Sequence, residues 1–245
     1  MWHILDGHIY SNTIELNYYA LYLERSMQNT SSALSQTLRA SAFVLVATVL
    51  MACQGETVAQ TVDATKYKPT REQMIVTTGD KVEVAELFWF GCGHCYSLEP
   101  ALKQWKKGMP ANAVFRKVPA IFSARWEFHG QAFYTMQTLG VPDAAYDEFF
   151  SNIHVKRQSM NNMGQLVALL ATYDKTEEQI ESAFNSFDVS NKMRAAKKIT
   201  RQSGADGVPA IVVDGKYITS QQLSGGTAEM FKVVDQLIGK AAAER

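Results

Sequence analysis

The run VEVAELFWF, Val82 to Phe90, is apolar at every position except Glu83 and Glu86. A strand with one wet face would alternate apolar and polar residues, so a continuous run of β-formers predicts a strand buried on both faces. Gly91 ends it. From Cys92 to Lys107 the pattern turns helical, with Tyr96, Leu98, Leu102 and Trp105 near helical spacing and Pro100 predicting a kink. AVFRKVPAIF then reads as a second strand, stopped at Pro119. Parallel strands need a crossover of helical length, and this helix supplies one.

Between Glu127 and Ser186 there is no strand signal. Helical segments follow one another instead: EFHGQAFYTMQTL, DAAYDEFFSNIHV, MGQLVALLATY and TEEQIESAFNSF, punctuated at Gly140-Val141-Pro142 and Asn161-Asn162. NKMRAAKKITRQSG is a further amphipathic helix, closed by Gly204 as its C-cap. GVPAIVVDGKYIT reads as two short strands joined by the favoured turn pair Asp214-Gly215, and a last helix runs from about Thr227 to Ala242. The expected class is α/β: one mixed sheet flanked by helices, interrupted by an all-helical insertion at about 125–188.

The amino-terminal quarter follows another logic. Residues 1–26 show no clean period and read as upstream sequence, with synthesis starting at Met27. Residues 27–53 have the form of an export signal: a polar start with Arg39, then an apolar run from Ala40 to Ala52 that is too short for a bilayer span. Two endings are open. Leu50-Met51-Ala52-Cys53 resembles a lipoprotein processing box, which makes Cys53 a candidate lipidation site and the lipid the chain's only link to a membrane. Cleavage after Thr57-Val58-Ala59 is the alternative. Either way Cys53 is not a free thiol in the exported domain, residues 54–245.

The whole chain carries 24 basic and 24 acidic side chains. Removing residues 1–53 takes away Arg25, Arg39, Asp6, Glu15 and Glu24, leaving 22 against 21. That balance argues against a nucleic-acid partner, which calls for a basic excess. A hydrophobic content of 47% supports an ordinary packed core in a domain left with two cysteines, so disulfide stapling is not what stabilises it.

Those two are Cys92 and Cys95, and three chemistries compete for them. A zinc site needs a second ligand pair, and the remaining histidines of the domain, His94, His129 and His154, form none. A purely structural disulfide would close too short a loop to matter. A redox dithiol fits best. Cys92 falls at the strand–helix junction, where unpaired N–H groups and the helix dipole favour a thiolate, and Cys95 lies one turn deeper.

Cys92-Gly93-His94-Cys95, preceded by ELFWF and followed by Gly207-Val208-Pro209, resembles the DsbA family of periplasmic thiol oxidases over about residues 65–243. The resemblance implies a thioredoxin-like fold with a helical insertion and no cofactor beyond the Cys92–Cys95 disulfide. It also implies a cis bond before Pro209, with Val208 and Pro209 receiving the substrate chain. Glu86 matches the family's buried acid and Glu99 a second acid just past the motif. Gly93 departs from the proline of the best-known member. His94 is expected to donate a hydrogen bond or lend positive charge to the Cys92 thiolate. Glu86 has two readings, a salt bridge with Arg116 or Lys117, or proton transfer for Cys95. Trp89, Phe90 and Tyr96 are read mainly as core, with one or two left to line a groove. Were the Cys92 pKa about 4.5, the thiolate at pH 7 would gain roughly 3.4 kcal/mol, favouring the reduced form by roughly 70 mV.

The function expected is a monomeric thiol:disulfide oxidase that hands its disulfide to newly exported, reduced proteins in the periplasm. A quinone-linked membrane oxidase of the DsbB kind is the implied reoxidant. The alternatives are a reductase or isomerase on the same fold, or a membrane-anchored metal or binding module. Isomerases usually add a dimerisation domain, and no stretch here is long enough for one.

Overall fold

The computed structural model describes residues 61–76 and 78–245. The expected upstream segment 1–26, the export signal 27–53 and Cys53 lie outside the described residues. Five strands form one sheet: β1 (Lys68–Pro69), β2 (Val82–Phe88), β3 (Ala113–Pro119), β4 (Ala210–Val213) and β5 (Tyr217–Thr219), in the order β1-β5-β4-β2-β3. β2 lies inside the sheet, between β4 and the edge strand β3, and is buried at all seven positions, as its apolar run requires. It pairs parallel to β3 and antiparallel to β4. The parallel pair is joined by α1 (Gly93–Lys107), which continues through Pro100 although that residue has no N–H to offer the carbonyl of Tyr96.

Between β3 and β4 come α2 (Ala124–Thr138), α3 (Asp143–His154), α4 (Met163–Ala171), α5 (Glu177–Phe184) and α6 (Phe187–Ser203). Local signals set their ends. Asn162 and Ser186 cap α4 and α6 through their side chains, and Thr176 with Gln179 closes a reciprocal capping box on α5. The helix expected from Asn191 begins four residues earlier, at Phe187. Phe187 is 77% exposed, so the first turn adds little to the apolar stripe by which the helix was recognised.

The sheet separates two clusters. Val82, Val84, Ile211 and Val213 pack with Leu98 and Leu102 of α1 and with α8 (Thr227–Ala243). Ala85, Leu87, Ala210 and Val212 face the cluster that holds Phe133, Phe149, Val189 and Met193 from the helical block. Two small elements carried no recognisable signal: β1, with two residues, and a four-residue helix, α7 (Gln221–Ser224). The β4–β5 turn has Asp214 at φ 52° and Gly215 at φ 64°, as a type I′ turn demands. Gly215 is needed for space as well, since a Cβ there would lie 2.5 Å from the carbonyl oxygen of Met74. No described helix is long and apolar enough to cross a membrane.

Candidate active site

β2 delivers the chain through a turn, in which the Cys92 N–H bonds to the Trp89 carbonyl at 3.0 Å, onto the first turn of α1. Cys92 is the N-cap, extended at φ −87°, ψ 115°, and its sulfur accepts the N–H of Cys95 at 3.3 Å. A sulfur therefore occupies the position where a serine or aspartate oxygen ordinarily satisfies a free helix N–H. The two thiols are free and unequal: Cys92 is half-buried, while Cys95 is 0% exposed.

That inequality sets their acidity. The Cys92 thiol is lowered to about 6, chiefly by a hydrogen bond from the Cys95 thiol. Partial burial opposes this; the N–H groups of Cys95 and His94 add to it, and the charge of His94 contributes least. Burial pushes the Cys95 thiol far up, and its bond to Cys92 adds to the rise. The outer sulfur is the thiolate and the inner one the thiol. One expectation changes in magnitude: His94 acts more through its backbone than through its exposed ring.

Opposite the sulfur stands the segment from Gly207 to Ala210. The Val208–Pro209 bond is cis, and Sγ of Cys92 lies 3.4 Å from the Val208 carbonyl oxygen, to which it donates only while it is protonated. His94, Val208, Pro209, Ile218 and Leu223 border one cleft of about 560 Å³. The expected substrate pair thus lies against the reactive sulfur, although more than a hundred residues separate them in sequence.

Beneath the pair, Glu86 is fully buried in β2. The Lys117 ammonium stands 3.1 Å from its Oε2, outside hydrogen-bonding geometry, and also pairs with Glu99. Of the two cations proposed for Glu86, Lys117 is the partner; Arg116 turns away to Glu83 at 2.8 Å. Burial drives the Glu86 carboxyl up to about 7 against the pull of Lys117, and Glu99 adds to the rise. Charge on Glu86 also raises Cys95, so the acid and the inner thiol are electrostatically linked. Lys117 lies over the rings of Phe88 and Phe150 at 4.8 and 5.5 Å, which places the cation among aromatic faces.

Of the aromatic flank, Phe90 is core and Trp89 and Tyr96 are half-buried. Sequence reasoning missed their partners from the helical block. Trp126 stacks on Trp89 at 4.3 Å and 8°, His129 lies against Trp89 at 5.8 Å, and His154 stacks on Tyr96 at 4.9 Å. His129 and His154 fell within segments read only as helical, and Trp126 lay one residue before the first of those segments. Among the described residues, no group of three or more His, Cys, Asp or Glu is placed to hold a metal ion.

Residues 123–237 match the family model described as DSBA-like thioredoxin domain. The thiol:disulfide interchange protein DsbA of Pseudomonas aeruginosa is 34% identical over 203 residues, covering 82% of this chain and 96% of that one. The Azotobacter vinelandii protein of the same name is 36% identical over 158 residues, covering 64% and 74%. The crystal structure of Pseudomonas aeruginosa DsbA superposes with a TM-score of 0.69 at 35% identity, over 74% of this chain and 95% of that one. With identity above 30% across nearly the whole of a relative, this chain belongs to the DsbA family of thiol:disulfide interchange proteins.

Proposed function

We infer that this protein is a thiol:disulfide oxidase that donates the Cys92–Cys95 disulfide to reduced polypeptides after export. The observation that carries the reading is the opposite displacement of the two thiols, with Cys92 lowered and Cys95 raised. A stabilised Cys92 thiolate favours the dithiol over the disulfide, and a disulfide that loses to its dithiol is given away.

The transfer balances as a two-electron exchange. A substrate thiolate attacks Sγ of Cys92, the Cys92–Cys95 bond breaks, and Cys95 leaves and takes up a proton. The product is a mixed disulfide on Cys92. A second substrate thiolate attacks the substrate sulfur of that bond, releasing Cys92 as a thiolate. The substrate gains a disulfide and the protein holds two more electrons. In this reading the backbone groups beside Pro209 receive the incoming chain as an added strand, and Glu86 and Glu99, with Lys117 between them, set the electrostatics under Cys95. Gly93 begins α1, and the next two residues, His94 and Cys95, turn their N–H groups to the sulfur.

The finer proposals are a periplasmic location, a monomer, lipidation or removal of Cys53, and reoxidation by a quinone-linked membrane oxidase. The test is to mix oxidised protein with a reduced, unfolded dithiol polypeptide and count thiols, then compare the stability of both redox forms. Stoichiometric transfer with an oxidised form less stable than the reduced one is expected. An oxidised form that is the more stable would move the protein to the reductases.

A further inference from the structure

His154 is the last residue of α3 in the helical block, and besides its neighbour Phe150 on the same helix its ring meets two residues that flank the redox motif. Its Nε2 is 2.8 Å from the carbonyl oxygen of Phe90, and since a carbonyl only accepts, Nε2 carries the proton and donates. Its ring lies flat on Tyr96, at 4.9 Å between centroids and 12° between planes. Phe90 comes two residues before Cys92 and Tyr96 directly follows Cys95. One half-buried imidazole therefore holds the backbone entering the motif and the side chain leaving it. The turn it grips is the one that aims Cys92: the N–H of Cys92 bonds to Trp89, next to Phe90, and the carbonyl of Cys92 accepts from Tyr96 at 3.1 Å.

We propose that His154 is a positioning residue for the redox motif, fixing the 90–92 backbone by its hydrogen bond to Phe90 so that the Cys92 sulfur stays seated on the N–H groups of α1. The helical block then contributes to reactivity as well as to shape. A hydrogen bond inside a semi-buried turn is strong enough to choose one backbone geometry, and thiolate stabilisation depends steeply on the N–H to sulfur distance. This inference rests on the reading of Cys92–Cys95 as a redox dithiol, but it concerns the ratio between variant and parent, whereas donor or reductase is decided by the parent's own equilibrium.

Three substitutions separate the donor from the ring. His154→Gln keeps an N–H that can reach Phe90, His154→Phe keeps the stack on Tyr96 without a donor, and His154→Ala removes both. Read the Cys92 thiolate by absorbance near 240 nm and the equilibrium constant with glutathione, alongside urea unfolding. Expected are a threefold or larger shift of the glutathione constant, with a raised Cys92 midpoint, in both the Phe and Ala variants, and recovery to within twofold in the Gln variant. Loss of stability with unchanged thiolate titration would overturn the proposal, as would an effect confined to the Ala variant. In the unsubstituted protein, a 15N imidazole spectrum with Nε2 unprotonated would overturn it without any mutation.

Discussion

The N–H of Cys95 points at Sγ of Cys92 across 3.3 Å, so the two halves of the motif are already bonded when the disulfide between them is open. The Cys95 thiol does more to lower Cys92 than any other group, and the His94 charge does least. Replacing Cys95 by Ala should therefore raise the Cys92 titration midpoint further above 6 than replacing His94 by Gln. Thiolate absorbance against pH measures both. A larger shift from His94→Gln would show that imidazole charge governs the site.

The sign of the pH dependence follows from a thiol lowered to about 6 from an ordinary value of 9. The stabilisation of the reduced form is fully present above pH 9 and is lost as pH falls through 6. At pH 7 one unit of the shift is realised, about 1.4 kcal/mol. Water reaching the half-exposed sulfur reduces that to about 1 kcal/mol, or roughly 20 mV. Below pH 6 two protons accompany two electrons and the potential should fall about 59 mV per pH unit; above it, about 30 mV. Glutathione equilibria from pH 5 to 8 should show this break, and one slope throughout would contradict it.

Glu86 predicts the opposite trend for folding. Its carboxyl is raised to about 7 by burial, above the ordinary 4.5, so ionising it costs stability as pH rises from about 5 and the whole cost is present above 7. A shift of this size is worth about 3 kcal/mol. Glu86→Gln should remove the penalty, while Lys117 keeps Glu99 as its partner. Urea unfolding should find the variant more stable at pH 8 by about 1–3 kcal/mol, with the difference shrinking to under about 1 kcal/mol at pH 5. Destabilisation at both pH values would mean that the Lys117 pairing outweighs the burial.

How much of this was legible depends on distance along the chain. β2, the start of α1 and the Asp214-Gly215 turn are local patterns and could be read directly. The partner of Glu86 was narrowed to two neighbouring cations, and register chooses between them. Ala85 pairs with Arg116 and Glu86 with Lys117, so the pleat sends Arg116 to the face of Glu83 and leaves Lys117 beside Glu86. No sequence pattern contains that register. The stack of Trp126 on Trp89 and the reach of His154 to Phe90 span 37 and 64 residues and arise only when helices pack on the sheet. The helix N–H groups that favour the thiolate could be expected from the strand–helix junction, whereas the lead of the Cys95 thiol over the His94 charge follows from how the two side chains are placed around the sulfur.

Gly91 provides the last test. A Cβ at this position would lie 2.3 Å from the Trp89 ring, and three ring atoms fall within 2.6 Å. The indole thus lies directly on the backbone one residue before Cys92, sandwiched there by Trp126 at 4.3 Å. Gly91→Ala must expel the ring, since the Cβ itself cannot move without moving the turn. Overpacking of this kind costs about 1–3 kcal/mol, and the two indoles lose their parallel contact. Near-ultraviolet circular dichroism should lose the signal of the coupled indoles while the far-ultraviolet spectrum stays unchanged, and urea unfolding should show the stability loss. If the variant kept the indole coupling and its stability, the ring could not be resting on the Gly91 backbone as described.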